Sequence, residues 1–209
     1  MKKNYIINTI DMHLKQNFWL YIISLLILTT GVVFGIYTVK YMGELDKNNM
    51  LKYFECFSFN FKTQEINSYN ILNEAIKNNI IFIIIFWVLG LTLVGIPMIL
   101  FFDFIKGFTL GFSISFIMYG LGFDGIWLSL LGIIPQNVIY IPCIILSSVL
   151  SIKFSLEHIR VKINKGFIDN FWNKFYNYSI CYIFISIFMF LGFILESYIT
   201  PYLVKSFIS

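Results

Sequence analysis

The sequence predicts an all-α polytopic integral membrane protein with five transmembrane helices, one longer outer connection and amphipathic interfacial helices on the inner side. Three observations lead there. The chain of 209 residues is 58% hydrophobic and 20% aromatic. Only 12% of it is charged, about half of the ~25% usual in soluble domains. Its apolar residues gather into runs of about 20, the length that crosses a bilayer as a helix. The connections between them are too short to hold a second core, so 1–209 reads as a single membrane domain.

The first run, 18–39, follows Lys2, Lys3 and Lys15. It is longer than the ~7–15-residue apolar core of a signal peptide, and no small-x-small cleavage pattern follows, so it is expected to stay as an anchor. The outer connection, 40–79, is polar and mixed in charge. Its aromatics Tyr53, Phe54, Phe57, Phe59, Phe61 and Tyr69 suit interfacial anchoring or a docking surface for a partner. Near its end Leu72, Ala75 and Ile76 share one helical face, predicting a helix that leads into the next span. The second span reads 80–102, with a kink at Gly95, Ile96 and Pro97. Asp103 and Lys106 then read as a short turn at the water interface before the third span, 107–122. The alternative puts both inside a longer helix, paired with one another and functional, because charge buried in a membrane is expensive.

The fourth span, 126–150, is interrupted by Pro135, Gln136 and Asn137 and again by Pro142. A basic inner connection, 151–177, follows. Ile152, Leu156, Ile159 and Ile163 recur at helical spacing, as do Ile168, Phe171, Trp172 and Phe175, alongside Lys153, Arg160, Lys162, Lys165 and Lys174. Both halves predict amphipathic helices lying on an anionic lipid surface. The fifth span is 178–198. With the N-terminus inside, nine Lys and Arg residues fall on the inner side against six outside, which orients the chain N-in and C-out. The basic residues form no block, so no nucleic-acid partner is expected.

Two small-x-x-x-small patterns stand out: Gly31 with Gly35, and Gly107 with Gly111, extended by Ser115. Small side chains four apart let helix backbones approach closely, within the bundle or in a homo- or hetero-oligomer. In the fourth span Ser129, Gly132, Gln136, Tyr140, Cys143 and Ser147 fall on one stripe. Pro135 and Pro142 lack an N–H and so free the carbonyls of Leu131 and Val138. Gln136 and Asn137 can donate to such carbonyls, locally or across to a neighbour; the stripe could equally receive a ligand or a partner's membrane helix. Glu196 either snorkels to the interface or finds a charge partner inside the bundle.

An enzyme lacks its parts. His13 and His158 lie in polar connections, there is no HExxH, Ser113 has no intramembrane histidine to activate it, and no GxxxxGK[ST] loop occurs. Glu157 and His158 are adjacent on a helix and point in different directions. Cys56, Cys143 and Cys181 form no CxxC pair, and no intramolecular disulfide is expected. We therefore expect no catalytic residue, no cofactor and no metal.

Four segments occur in a telling order: Gly90–Pro97 (GLTLVGIP), Phe104–Phe112 (FIKGFTLGF), Ile134–Asn137 (IPQN) followed by Ile141 and Pro142, and Glu196–Pro201 (ESYITP). Together they resemble the stage II sporulation protein M family over nearly the whole chain. The resemblance implies a five-span membrane protein of endospore-forming bacteria, on the mother-cell side of the asymmetric septum. It implies two membrane-anchored sporulation proteins as partners, one a peptidoglycan hydrolase with lytic transglycosylase and amidase activity. The role implied is a scaffold and localising subunit for septal wall thinning and engulfment of the forespore. Broader relatives carry histidine and glycine after the proline of the fourth span; Gln136 and Asn137 stand there, as in the sporulation branch. The resemblance supplies no catalytic residues. The rival class is a transporter or channel subunit, suggested by the broken fourth span.

Overall fold

In hydrocarbon every backbone N–H and C=O must be paired within the protein, so long apolar runs become helices. The computed structural model describes residues 15–52, 67–92, 94–163 and 171–208, and their regular elements are helices. They are α1 (Phe18–Tyr41), α2 (Ser68–Gly90), α3 (Gly95–Leu121), α4 (Phe123–Gly132), α5 (Ile134–Ile163), α6 (Phe171–Ile194), a π-helical turn (Leu195–Ile199) and α7 (Thr200–Ile208). Residues 44–52 are also helical. Five stretches are long and apolar enough to cross a membrane: α1, α2, α3, residues Ile134–Ile159 of α5, and Trp172–Ser206 running through α6, the π-turn and α7. The chain is an all-α polytopic membrane protein.

The number of spans matches the sequence reading, but their limits move. The second crossing starts at Ser68, inside what reads as outer connection, and stops at Gly90. Leu72 and Ile76 pack against the core beside buried Ala75, so the helical face read there is real. Gly95 and Pro97 do not kink the second span; they open the third helix. A proline in a first helical turn forfeits no intrahelical bond, because the early N–H groups have no partner there. The turn expected at Asp103 and Lys106 does not exist, since α3 runs unbroken through both.

The fourth span is also redrawn. Gly122, with φ 59°, reverses the chain after α3, in the left-handed region that glycine enters without steric cost. The ten residues of α4 extend about 15 Å, too short to cross. It folds back on the end of α3, with Gly125 against the carbonyl of Ile117. The crossing itself is α5, which starts at Ile134 and continues well past Leu150. Pro135 therefore sits in its first turn, and only Pro142 lies in its interior. The segments expected to lie flat on the inner surface instead prolong α5 and begin α6. Ile152 is buried in the core, with Leu156 packed against it. His13, Cys56, the aromatics 53–61 and Ile168 lie outside the described residues.

α5 is the central helix. Along its crossing 56% of the residues are buried, against 22–33% in the other four. It meets α2, α3 and α6 around Ile83, Phe86, Ile99, Tyr140, Ile144, Met189 and Phe193. On the other flank α1 lies parallel to α3, and the two glycine pairs mesh. A Cβ on Gly31 would strike the carbonyl of Phe104, and one on Gly35 that of Phe108. One on Gly107 would strike the carbonyl of Leu28, and one on Gly111 that of Val32. These four glycines therefore serve packing inside the chain. Ser115 continues their face one turn further, half-buried. Beside it Phe104, Phe108, Phe112 and Phe116 stack in a ladder with centroid spacings of 6.5, 6.0 and 6.1 Å.

Candidate functional site

Thr29, Thr30, Thr38 and Thr109 are exposed and bond a carbonyl of their own helix, but a set of other polar side chains in the crossings faces inward, and these meet one another in tiers that form a column. Nearest the α2–α3 turn, Ser155 donates to the carbonyl of Thr92 at 2.8 Å. One turn along α5, Ser151 donates to the carbonyl of Phe86 at 2.8 Å and also bonds the hydroxyls of Tyr178 and Tyr182. Tyr178 donates to the carbonyl of Trp87 at 3.0 Å, and Tyr182 to that of Ser147 at 2.8 Å. A buried hydroxyl left alone in hydrocarbon would cost several kcal/mol. Here each finds a partner on a neighbouring helix, so the tier also ties α2, α5 and α6 together.

The next tier holds the only fully buried acid among the described residues, Asp103. Ser24 of α1 donates to its Oδ2 and Ser148 of α5 to its Oδ1, each at 2.6 Å. Ser24 and Ser148 are themselves 0% exposed, so three helices converge on one carboxyl group. Lys106, one turn further along α3, does not pair with Asp103. Its Nζ donates to Oδ1 of Asn79 on α2 at 2.9 Å and lies 4.9 Å from the centroid of the Phe82 ring. Asn79 completes its own bonding by donating to the carbonyl of Ala75 at 3.0 Å. Asn79→Leu should strand the lysine and cost about 1.5–3 kcal/mol. Thermal unfolding in detergent would show the loss, with exposed Asn78→Leu as the unaffected control.

Toward the other end, Tyr140 donates to Oε2 of Glu196 at 2.5 Å. Glu196 therefore points into the bundle, the second of the two arrangements open from sequence. The π-turn that carries it explains this: an extra residue in one turn rotates Glu196 inward, while Tyr198 and Ile199 remain exposed. In the outermost tier Thr200 donates to Oε1 of Gln136 at 3.2 Å. Gln136 and Asn137 donate to the carbonyls of Gly132 and Ile133 at 2.6 and 2.7 Å. These are carbonyls of the α4–α5 joint, each four residues before its donor, and not those of Leu131 and Val138 that the prolines free. The joint also divides the expected stripe. Gln136, Tyr140, Cys143 and Ser147 are buried on α5, whereas Ser129 and Gly132 belong to α4.

Of the residues singled out from sequence, the structure joins Gln136 and Glu196 to the column and gives the glycines to the α1–α3 contact. It adds Ser24, Asn79, Ser148, Ser151, Tyr178 and Tyr182, which the sequence reading passed over. The serines of α5 were legible in principle. Ser151 and Ser155 continue the spacing of Ser147, but a span closed at Leu150 hides them; Ser148 lies inside that span, beside the stripe. No group of three or more His, Cys, Asp or Glu residues that could hold a metal occurs among the described residues. Cys143 and Cys181 are free thiols. On the lipid-facing side a groove of about 630 Å³ lies between α2 and α6, lined by Ile83, Ile84, Trp87, Ile183, Ile187 and Phe190, with Ser179, Tyr182 and Ser186.

Searches among curated proteins and among solved structures return no match. The family model described as stage II sporulation protein M matches residues 24–201, from Ser24 at the Asp103 node to the first turn of α7. It thus takes in all five crossings and every tier of the column, and the chain belongs to the stage II sporulation protein M family.

Proposed function

We propose that this sporulation-related membrane protein is the non-enzymatic scaffold and localising subunit of a complex that brings peptidoglycan hydrolases to the asymmetric septum, for septal wall thinning and forespore engulfment. Its partners are two membrane-anchored sporulation proteins, one a peptidoglycan hydrolase. It works in the mother-cell membrane with its N-terminus in the cytoplasm and its C-terminus outside. The observation that carries the reading is the family match across the whole helical bundle.

The transporter or channel reading draws on the polar column. Against it, Gln136, Asn137 and Ser147 bond to carbonyls of their own chain, and Tyr140 is held by Glu196. These groups are committed to one another and not to a solute.

The test is affinity purification of the tagged full chain from sporulating cells. The two sporulation partners should co-purify, and septal wall thinning should stop when the gene is deleted. A complex lacking hydrolases, together with normal engulfment in the deletion strain, overturns the proposal.

A further inference from the structure

Among the described residues Asp103 is fully buried, while Lys106 and Glu196 are half-buried and are met by Asn79 and Tyr140. Asp103 is met by two serine hydroxyls. Among the described residues no lysine or arginine reaches ion-pair distance of it, although Lys106 is one helical turn away. A carboxylate fully buried without a basic partner, in a medium that tolerates charge poorly, leaves one negative charge to be neutralised. A proton is the smallest cation that can do so.

The ligands of Asp103 fit that role. An arginine or lysine clamp only donates and would hold the carboxylate ionised. Ser24 and Ser148 each have one hydrogen and two lone pairs, so they can donate to a carboxylate or accept from a carboxylic acid. Protonation needs no backbone movement. The proton bonds to Oδ1, the resulting O–H donates to Oγ of Ser148, and the serine hydrogen turns to the carbonyl four residues back. Ser147 already bonds in that way, to Cys143 at 2.8 Å. The other groups facing Asp103 are neutral or committed. Tyr182 of α6 donates to the carbonyl of Ser147. α1 and α5 present the two serine hydroxyls, and the acid and base of α2 on this stretch, Glu74 and Lys77, are exposed.

Toward the α2–α3 turn, Tyr182 donates to the backbone carbonyl of Ser147 and bonds the hydroxyl of Ser151, which also bonds Tyr178, and Ser155 donates to the backbone carbonyl of Thr92. These hydroxyls end on carbonyls, and Asp103 is met by Ser24 and Ser148 alone. We propose that Asp103 is a proton-exchange site whose two partners, Ser24 and Ser148, accommodate either protonation state of the carboxyl. It needs no particular partner and stands apart from the scaffold proposal.

Infrared spectroscopy of the full chain in lipid nanodiscs tests it. Acidification should produce a protonated-carboxyl band that shifts on transfer to heavy water and is lost in Asp103→Asn. Ser148→Ala, which removes one hydrogen bond and keeps the acid, should move the band to higher frequency. The proposal is overturned if Asp103→Asn retains the band, if Ser148→Ala leaves its frequency unchanged, if the band never exchanges, or if sodium at constant pH removes it.

Discussion

Gly107→Leu should release α1 from α3 without stopping the chain from entering the membrane. The Cβ alone would overlap the carbonyl of Leu28, and backbone cannot rotate away as a flexible side chain can. Overpacking of this kind costs about 1–3 kcal/mol. The same displacement pulls Ser24 from Asp103, leaving a buried carboxyl with one donor fewer, a further ~1–3 kcal/mol. Thermal unfolding in detergent should show a large loss for Gly107→Leu and a smaller one for Gly107→Ala. Gly43→Ala is the neutral control, since its Cβ would meet only the Asp46 side chain at 3.7 Å. Wild-type stability in Gly107→Leu would mean that the two helices do not mesh at these glycines.

The second large effect concerns the π-turn. Tyr140→Phe removes the donor from Glu196, while Glu196→Leu leaves the tyrosine hydroxyl facing hydrocarbon. A hydrogen bond to a charged group contributes about 1.5–3 kcal/mol. Combining the two changes should cost clearly less than the sum of the singles, because residues in direct contact couple. Unfolding measurements on the four proteins of the cycle give the coupling. Strict additivity would show that Tyr140 and Glu196 act separately.

These two contacts also mark what the sequence can and cannot tell. Five crossings are legible because hydrophobicity is a local property, summed over each run. The glycine pairs are legible as motifs for the same reason. That Gly31 meets Phe104, and Gly107 meets Leu28, is not, since partner choice depends on the packing of the whole bundle. Asp103 and Lys106 show the limit most plainly. Two charges three residues apart between apolar runs look locally like a turn. They stay in α3 because Ser24, Asn79 and Ser148 meet them from three other helices, information that no window along α3 contains. The early closure of the fourth span has a related cause. Ser151 and Ser155 look like the start of a polar loop until Tyr178, Tyr182 and Thr92 are placed beside them.

The parallel pairing of α1 with α3 bears on how the protein is made. A ribosome delivers α1 and α2 first, and neither can complete the other: the glycine face and Ser24 of α1 await α3. When α3 arrives it seals that face, yet Asp103 still lacks its second donor until Ser148 emerges on α5. Biogenesis must therefore hold unfinished helices near the insertion machinery until the fourth crossing is synthesised, and a chain truncated before α5 would present an unmet acid to lipid and to quality-control proteases.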